Sequence, residues 1–166
     1  MAVVNLLGSR IMTGLAAVPR VQPGAGLAGG VLRYWSETVE VGAADSDTST
    51  YWFARLPSNA RIAGISRVSI DDLASAGAPT MDFGCYPVTT GDFTADVDAR
   101  NNGATLATTG NYDLIGERAN YGKMLWQHIS GVTVDPCCEI DIKGVMDDAD
   151  VNVGGTVTME IFYTLD

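Results

Sequence analysis

His128 is the single histidine of this 166-residue chain, and Cys85, Cys137 and Cys138 are its three thiols. A nucleophile–histidine–carboxylate triad needs only one imidazole, so composition by itself permits hydrolytic chemistry. The chain, however, contains no Gly-x-Ser-x-Gly elbow to lift a serine out of a sheet. His128 falls in the apolar run Met124 to Ile129, where a half-exposed strand residue is expected. Asp82-Phe83-Gly84 matches a kinase tripeptide, but the glycine-rich loop, strand lysine and catalytic loop that give it meaning are missing. Phosphate-binding and dinucleotide fingerprints are absent too. No catalytic residue is assigned, and the chain is not expected to be an enzyme.

The thiols and carboxylates are next. Three cysteines, two of them adjacent, do not make a disulfide framework, because neighbouring cysteines bridge only under strain. The pair also lacks the spacer of a zinc knuckle. Buried, reduced, inert thiols are expected, as in a protein that folds in a cytoplasm. Asp45-Ser46-Asp47 and Asp147-Asp148-Ala149-Asp150 are acidic loops of the kind that gather oxygen ligands for calcium. Neither carries the glycine and distal glutamate of an EF-hand, so they are read as solvated turns. No metal and no cofactor are expected. Asp71 and Asp72 are placed as caps of a short helix. Asp96 and Asp98, interleaved with Ala95, Val97 and Ala99, suit the polar face of an edge strand. Tyr34, Trp35, Tyr51, Trp52 and Phe53 would suit a sugar-binding platform, yet aromatics in strand-like runs belong more often to a core.

The elements that carry these residues are short. Strand-like runs are expected at 31–41, 49–56, 60–70, 80–86, 123–129, 138–145 and 156–165. In the last, Val157, Met159, Ile161 and Tyr163 alternate with Thr158, Glu160, Phe162 and Thr164. Gly42 to Asp45, Pro57 to Asn59, Gly77 to Pro79, Asn101 to Gly103 and Gly154-Gly155 have turn chemistry. Short helices are expected only near Asp71–Ala76 and Asp113–Asn120. Many strands without alternating helices predict an all-β, antiparallel β-sandwich, specifically a jelly roll.

Residues 1–33 stand apart as an extended N-terminal arm, with the sandwich domain spanning 34–166. Gly8, Gly14, Pro19, Pro23, Gly24, Gly26, Gly29 and Gly30 interrupt the arm too often for regular structure. Ordering some thirty residues costs about 30–60 kcal/mol of backbone entropy. At about 25 cal/mol per Å², offsetting that takes roughly 1,200–2,400 Å² of apolar burial, the area of a substantial protein interface. The arm is therefore expected to lie on a partner through Leu6, Leu7, Arg10, Ile11, Met12, Leu15, Arg20 and Arg33. It has no basic leader region of a secretory signal and no apolar stretch near the ~20 residues of a membrane span.

Charge narrows the partner. The net charge is −10, divided into +3 over residues 1–36 and −13 over the remainder. Phosphate backbones repel such a body, so direct nucleic-acid binding is not expected, nor is membrane association. Lysine is scarce, with Lys123 and Lys143 against eight arginines, which favours a protein that packs on others.

The runs Tyr51 to Ile62 (Tyr-Trp-Phe-Ala-Arg-Leu-Pro-Ser-Asn-Ala-Arg-Ile) and Met81 to Val88 (Met-Asp-Phe-Gly-Cys-Tyr-Pro-Val) resemble the small head-associated proteins of tailed bacteriophages. The shared features are a Leu-Pro strand end followed by Ala-Arg-Ile, an Asp-x-Gly-x-Tyr strand (Asp82, Gly84, Tyr86) and a gapless closing strand from Gly155 to Leu165. The likeness covers residues 45 to 165 and leaves out the arm. It implies a capsid decoration, or cement, protein: a sandwich, often homotrimeric, that docks outside the shell on the major capsid protein and bridges neighbouring capsomers. The implied location is the virion exterior, with assembly in the bacterial host cytoplasm. A tail, connector or fibre-associated component, or a carbohydrate- or receptor-binding module, would use the same sandwich.

Overall fold

The computed structural model describes residues 30–115 and 120–165. Among them nine strands form two antiparallel sheets: β1 (Arg33–Val41), β2 (Thr50–Pro57), β3 (Ala60–Ile62), β4 (Arg67–Ile70), β5 (Thr80–Pro87), β6 (Asp96–Thr105), β7 (Gly110–Asp113), β8 (Glu139–Asp147) and β9 (Gly155–Leu165). One sheet runs β1-β9-β4-β7, with β3 added to the far end of β9; the other runs β2-β8-β5-β6. Setting β3 aside, the eight remaining strands interleave between the sheets as two nested Greek keys, which is a jelly roll.

Period-two alternation supplies the core. From β9 come Val157, Met159 and Ile161, and from β8 Ile140, Ile142 and Met146. Phe53, Leu56, Met81, Phe83 and Cys85 project inward from β2 and β5, with Val68 and Ile70 opposing them from β4. Gly144 faces inward on β8 because a Cβ there would stand 2.6 Å from the Met81 sulfur and 3.1 Å from the Phe53 ring.

Several sequence-based expectations need correction. The run ending at Ile129 is not a strand: Leu125–His128 forms a 3-10 turn, with Leu125 buried and the Met124 amide donating to Gln127 Oε1 at 2.8 Å. Residues 60–70 split into β3 and β4, because Ser66 N–H closes a turn on the Ala63 carbonyl. No helix forms at Asp71–Ala76; Asp113 is the last residue of β7, and the middle of the helix expected near Asp113–Asn120, residues 116–119, lies outside the described residues. Asp71 caps nothing helical; its Oδ2 accepts from the Thr156 amide and hydroxyl at 2.9 and 2.7 Å, stapling the start of β9. Asn101 to Gly103 lies inside β6, where Gly103 takes φ +70° and its amide donates to Asp82 Oδ1. Of the thiols, Cys85 is buried, Cys138 is half-buried and Cys137 is exposed.

The acidic loops serve as loop ties. Asp150 accepts from the Asp47 amide at 2.9 Å, and Asp148 accepts from the Thr80 hydroxyl at 2.9 Å. Asp45 accepts from the Tyr51 hydroxyl and the Gly42 amide, and these two donors hold its carboxyl below the ordinary 3.8. A carboxyl depressed in the folded state contributes stability that is complete above its unfolded pKa and vanishes as pH falls through its folded one. Urea midpoints should therefore separate wild type from Tyr51→Phe at pH 6, and the gap should close as pH drops below about 4. A gap independent of pH would refute the Asp45 link.

Candidate docking surface

Two successive aromatics on a strand must face opposite ways, as Tyr34-Trp35 on β1 and Trp52-Phe53 on β2 do. On β1, Trp35 shares the inner face with its cross-strand partner Ile161, while Tyr34 lies beside Phe162 on the outer face. The Tyr34 and Phe162 rings stand 4.8 Å apart, tilted by 44°. The Tyr34 hydroxyl donates to Glu160 Oε1 at 3.0 Å, and Arg67 Nε meets Glu160 Oε2 at 2.6 Å. These donors, Arg67 first, lower the Glu160 pKa and keep it charged. An aromatic and charged row thus crosses β1, β9 and β4 on the outer face of the first sheet.

Trp35 ties the two sheets together. A bulge in β2 between Trp52 and Ala54 leaves Phe53 outside the ladder to β8. The freed Phe53 carbonyl accepts the Trp35 indole N–H at 2.8 Å. Even so, Trp35 remains 40% exposed and Tyr34 54%, and Val31 and Leu32 ahead of them are exposed too. The reason is topological: among the described residues β1 is an edge strand, paired with β9 on one side only, and it overhangs the core. Unpaired edges with apolar side chains are templates for association.

A second group lies on the outer face of the other sheet. Trp52 is 52% exposed, with the Arg55 guanidinium 5.0 Å and the Lys143 ammonium 4.9 Å from its ring centre. Lys143 also sits 5.2 Å from the Tyr86 ring. Asp141, buried beneath them, holds Arg55 Nε at 2.7 Å and Lys143 at 3.9 Å. Tryptophan, tyrosine and arginine gathered on a rigid sheet are the residue types that anchor protein interfaces.

The residues assigned to the arm surface, Leu6, Leu7, Arg10, Ile11, Met12, Leu15 and Arg20, lie outside the described residues. Arg33 is placed: it opens β1, exposed and opposite Tyr163. Reading the aromatics as core holds for Phe53 and, in part, for Tyr51, but not for Tyr34, Trp35 and Trp52. Strand alternation carried the missed signal, since Tyr34-Trp35 and Trp52-Phe53 cannot both point inward.

His128 does not resemble a catalytic base. Burial, with the charges of Arg100 and Lys123, pushes its pKa down to about 3, and its Nδ1 has no hydrogen-bond partner. Among the described residues no cluster of three or more metal-ligating side chains forms. No helix among them is long and apolar enough to cross a membrane.

No protein-family model matches the sequence, and no curated protein is significantly similar to it. Solved structures do match. One is a chain of the Cyanophage Pam1 capsid asymmetric unit, 17% identical with a TM-score of 0.56 over 88% of this chain and 92% of that one. Another is a chain of the capsid of Ralstonia phage GP4, 17% identical with a TM-score of 0.58 over 95% and 96%. Coverage this even means chains of comparable length. Over most of its length, then, this protein shares its fold with chains found in two phage capsids.

Proposed function

We propose that this protein is a structural virion component that decorates the outside of a bacteriophage capsid and stabilises it by bridging neighbouring capsomers. The observation that carries the reading is the nearly complete fold overlap with capsid-derived chains of similar size. The surface supports it: an edge strand, β1, with Tyr34 and Trp35 exposed, follows an arm whose composition asks for a protein partner. The partners in this reading are the major capsid protein and further copies of the chain in a homotrimer. An acidic body suits an outer surface, away from packaged DNA. Repetition on an icosahedral shell would multiply modest contacts into avidity.

Imaging of the native particle tests the proposal. Density for this chain should sit outside the shell at a copy number comparable with the shell protein; a dozen copies at a vertex or tail would reject it. The arm has its own test. Deleting residues 1–30 should leave the thermal midpoint of the body nearly unchanged while shell binding falls by at least about 100-fold, because avidity compounds the loss at every copy. Undiminished binding of the truncated chain would remove the arm from the interface.

A further inference from the structure

We infer that β1 pairs with β1 of a second copy, antiparallel about a two-fold axis at Trp35, joining the first sheets of two sandwiches into one. The contact goes beyond the proposed function: it needs no shell, and it is separate from the three-fold contact of a homotrimer. Every residue from Arg33 to Thr38 is exposed, so both faces of the strand are bare over this stretch. Among the described residues its second edge pairs with nothing, and alternate amides and carbonyls there point away from β9. Val31 and Leu32, just ahead of the strand, are 76% and 54% exposed.

Charge complementarity selects both the occupant and the register. A two-fold axis normal to the sheet keeps like faces together, so opposed residues must share a face. Arg33, Trp35 and Glu37 alternate onto the inner face, where Trp35 lies opposite Ile161. Arg33 and Glu37 are ~13 Å apart along their own strand, too far to pair with each other. With Trp35 on the axis, Arg33 of each copy stands opposite Glu37 of the other, and the two Trp35 side chains meet. Val31 then faces Val39, Leu32 faces Thr38, and Tyr34 faces Ser36. Opposed Cβ atoms lie ~5 Å apart, close enough for two ion pairs and an indole contact.

Neighbouring registers forfeit this match. Centring on Glu37 sets it against its own counterpart and leaves Val31 and Leu32 beyond the pairing. Centring on Ser36 puts Trp35 against Glu37, and centring on Tyr34 puts Arg33 against Trp35. The chain's own residues 1–29 are a poorer occupant. They hold Arg10 and Arg20 but no acidic residue, so they can answer Glu37 and never Arg33.

The test uses full-length chains with exchanged charges. Arg33→Glu and Glu37→Arg each set like charges opposite one another at both ends of the pairing. Either variant alone should self-associate at least about 10-fold more weakly than wild type. Mixed in equal amounts, they again place arginine opposite glutamate at both contacts. Sedimentation of the mixture should then recover a species of twice the mass that each variant forms alone. Both positions are exposed, so neither change should move the thermal midpoint appreciably. A mixture that associates no better than its separate components overturns the inference. Hydrogen exchange examines the other occupant: β1 amides of the wild-type chain should gain protection as concentration rises. Protection that is independent of concentration would mean that the chain's own arm covers the edge, and the inference falls.

Discussion

Phe83→Ala is expected to cost about 3–5 kcal/mol, the largest effect of any single truncation in the sandwich. Phe83 is fully buried at the centre of β5, between β8 and β6, and its ring lies 5.8 Å from that of Phe53 across the same sheet. Met81 and Cys85 flank it on the inner face, both fully buried. Backbone pairing on both sides holds β5 in place, so the wall cannot collapse into the void. Since domains of this size are stable by only about 5–15 kcal/mol, the variant should lose a third or more of its stability. Urea unfolding should show a lower midpoint at an unchanged slope. A cost below about 1 kcal/mol would mean that Phe83 does not occupy this interior position.

The second large effect is expected at Gly84, where Gly84→Val should destabilise by about 3 kcal/mol or more. A Cβ added at this residue would stand 2.4 Å from the carbonyl oxygens of both Asp96 and Val97. Those atoms are backbone, so no rotamer change relieves the clash; the β6 bulge must lift away from β5. Lifting it would disturb the Asp96–Ser130 hydrogen bond and the inward course of Arg100. Gly84→Val should therefore show faster amide exchange through β6 and the segment after the 3-10 turn, while β1 and β9 stay protected. Uniform loss of protection across both sheets, or none at all, would contradict the local account. Gly103→Ala is a useful comparison, because its strain arises from φ +70° alone, with nothing within 4 Å of the added methyl. It should cost about 1 kcal/mol.

Both positions lie in the stretch Met81 to Val88, and they account for part of its Asp-x-Gly-x-Tyr pattern in this chain. Gly84 is the glycine of Asp-x-Gly-x-Tyr, and the crossing backbone of β6 is the reason no larger residue fits. Asp82 receives the Gly103 amide, anchoring the other irregular point of the same strand pair. The motif is thus a device for seating a bulged edge strand on its neighbour.

Local pattern was enough to identify the sandwich and most of its strands. Period-two alternation names the buried face of β9, and Gly, Pro and Asn clusters mark most strand ends, because both are properties of the chain within a few residues. The 3-10 turn at Leu125–His128 escaped, since four apolar and polar residues in a row fit a strand and a single turn equally well. What lies opposite a strand is a different matter. Whether an outward aromatic such as Trp52 is covered or bare, and whether β1 has a neighbour on its second edge, depends on residues up to 130 positions away. The bulge that turns Arg100 inward comes from unequal spacing on two paired strands, which no single strand encodes. Alternation along one strand tells which side chains share a face; only the assembled sheets decide which faces, edges and charges are left without a partner.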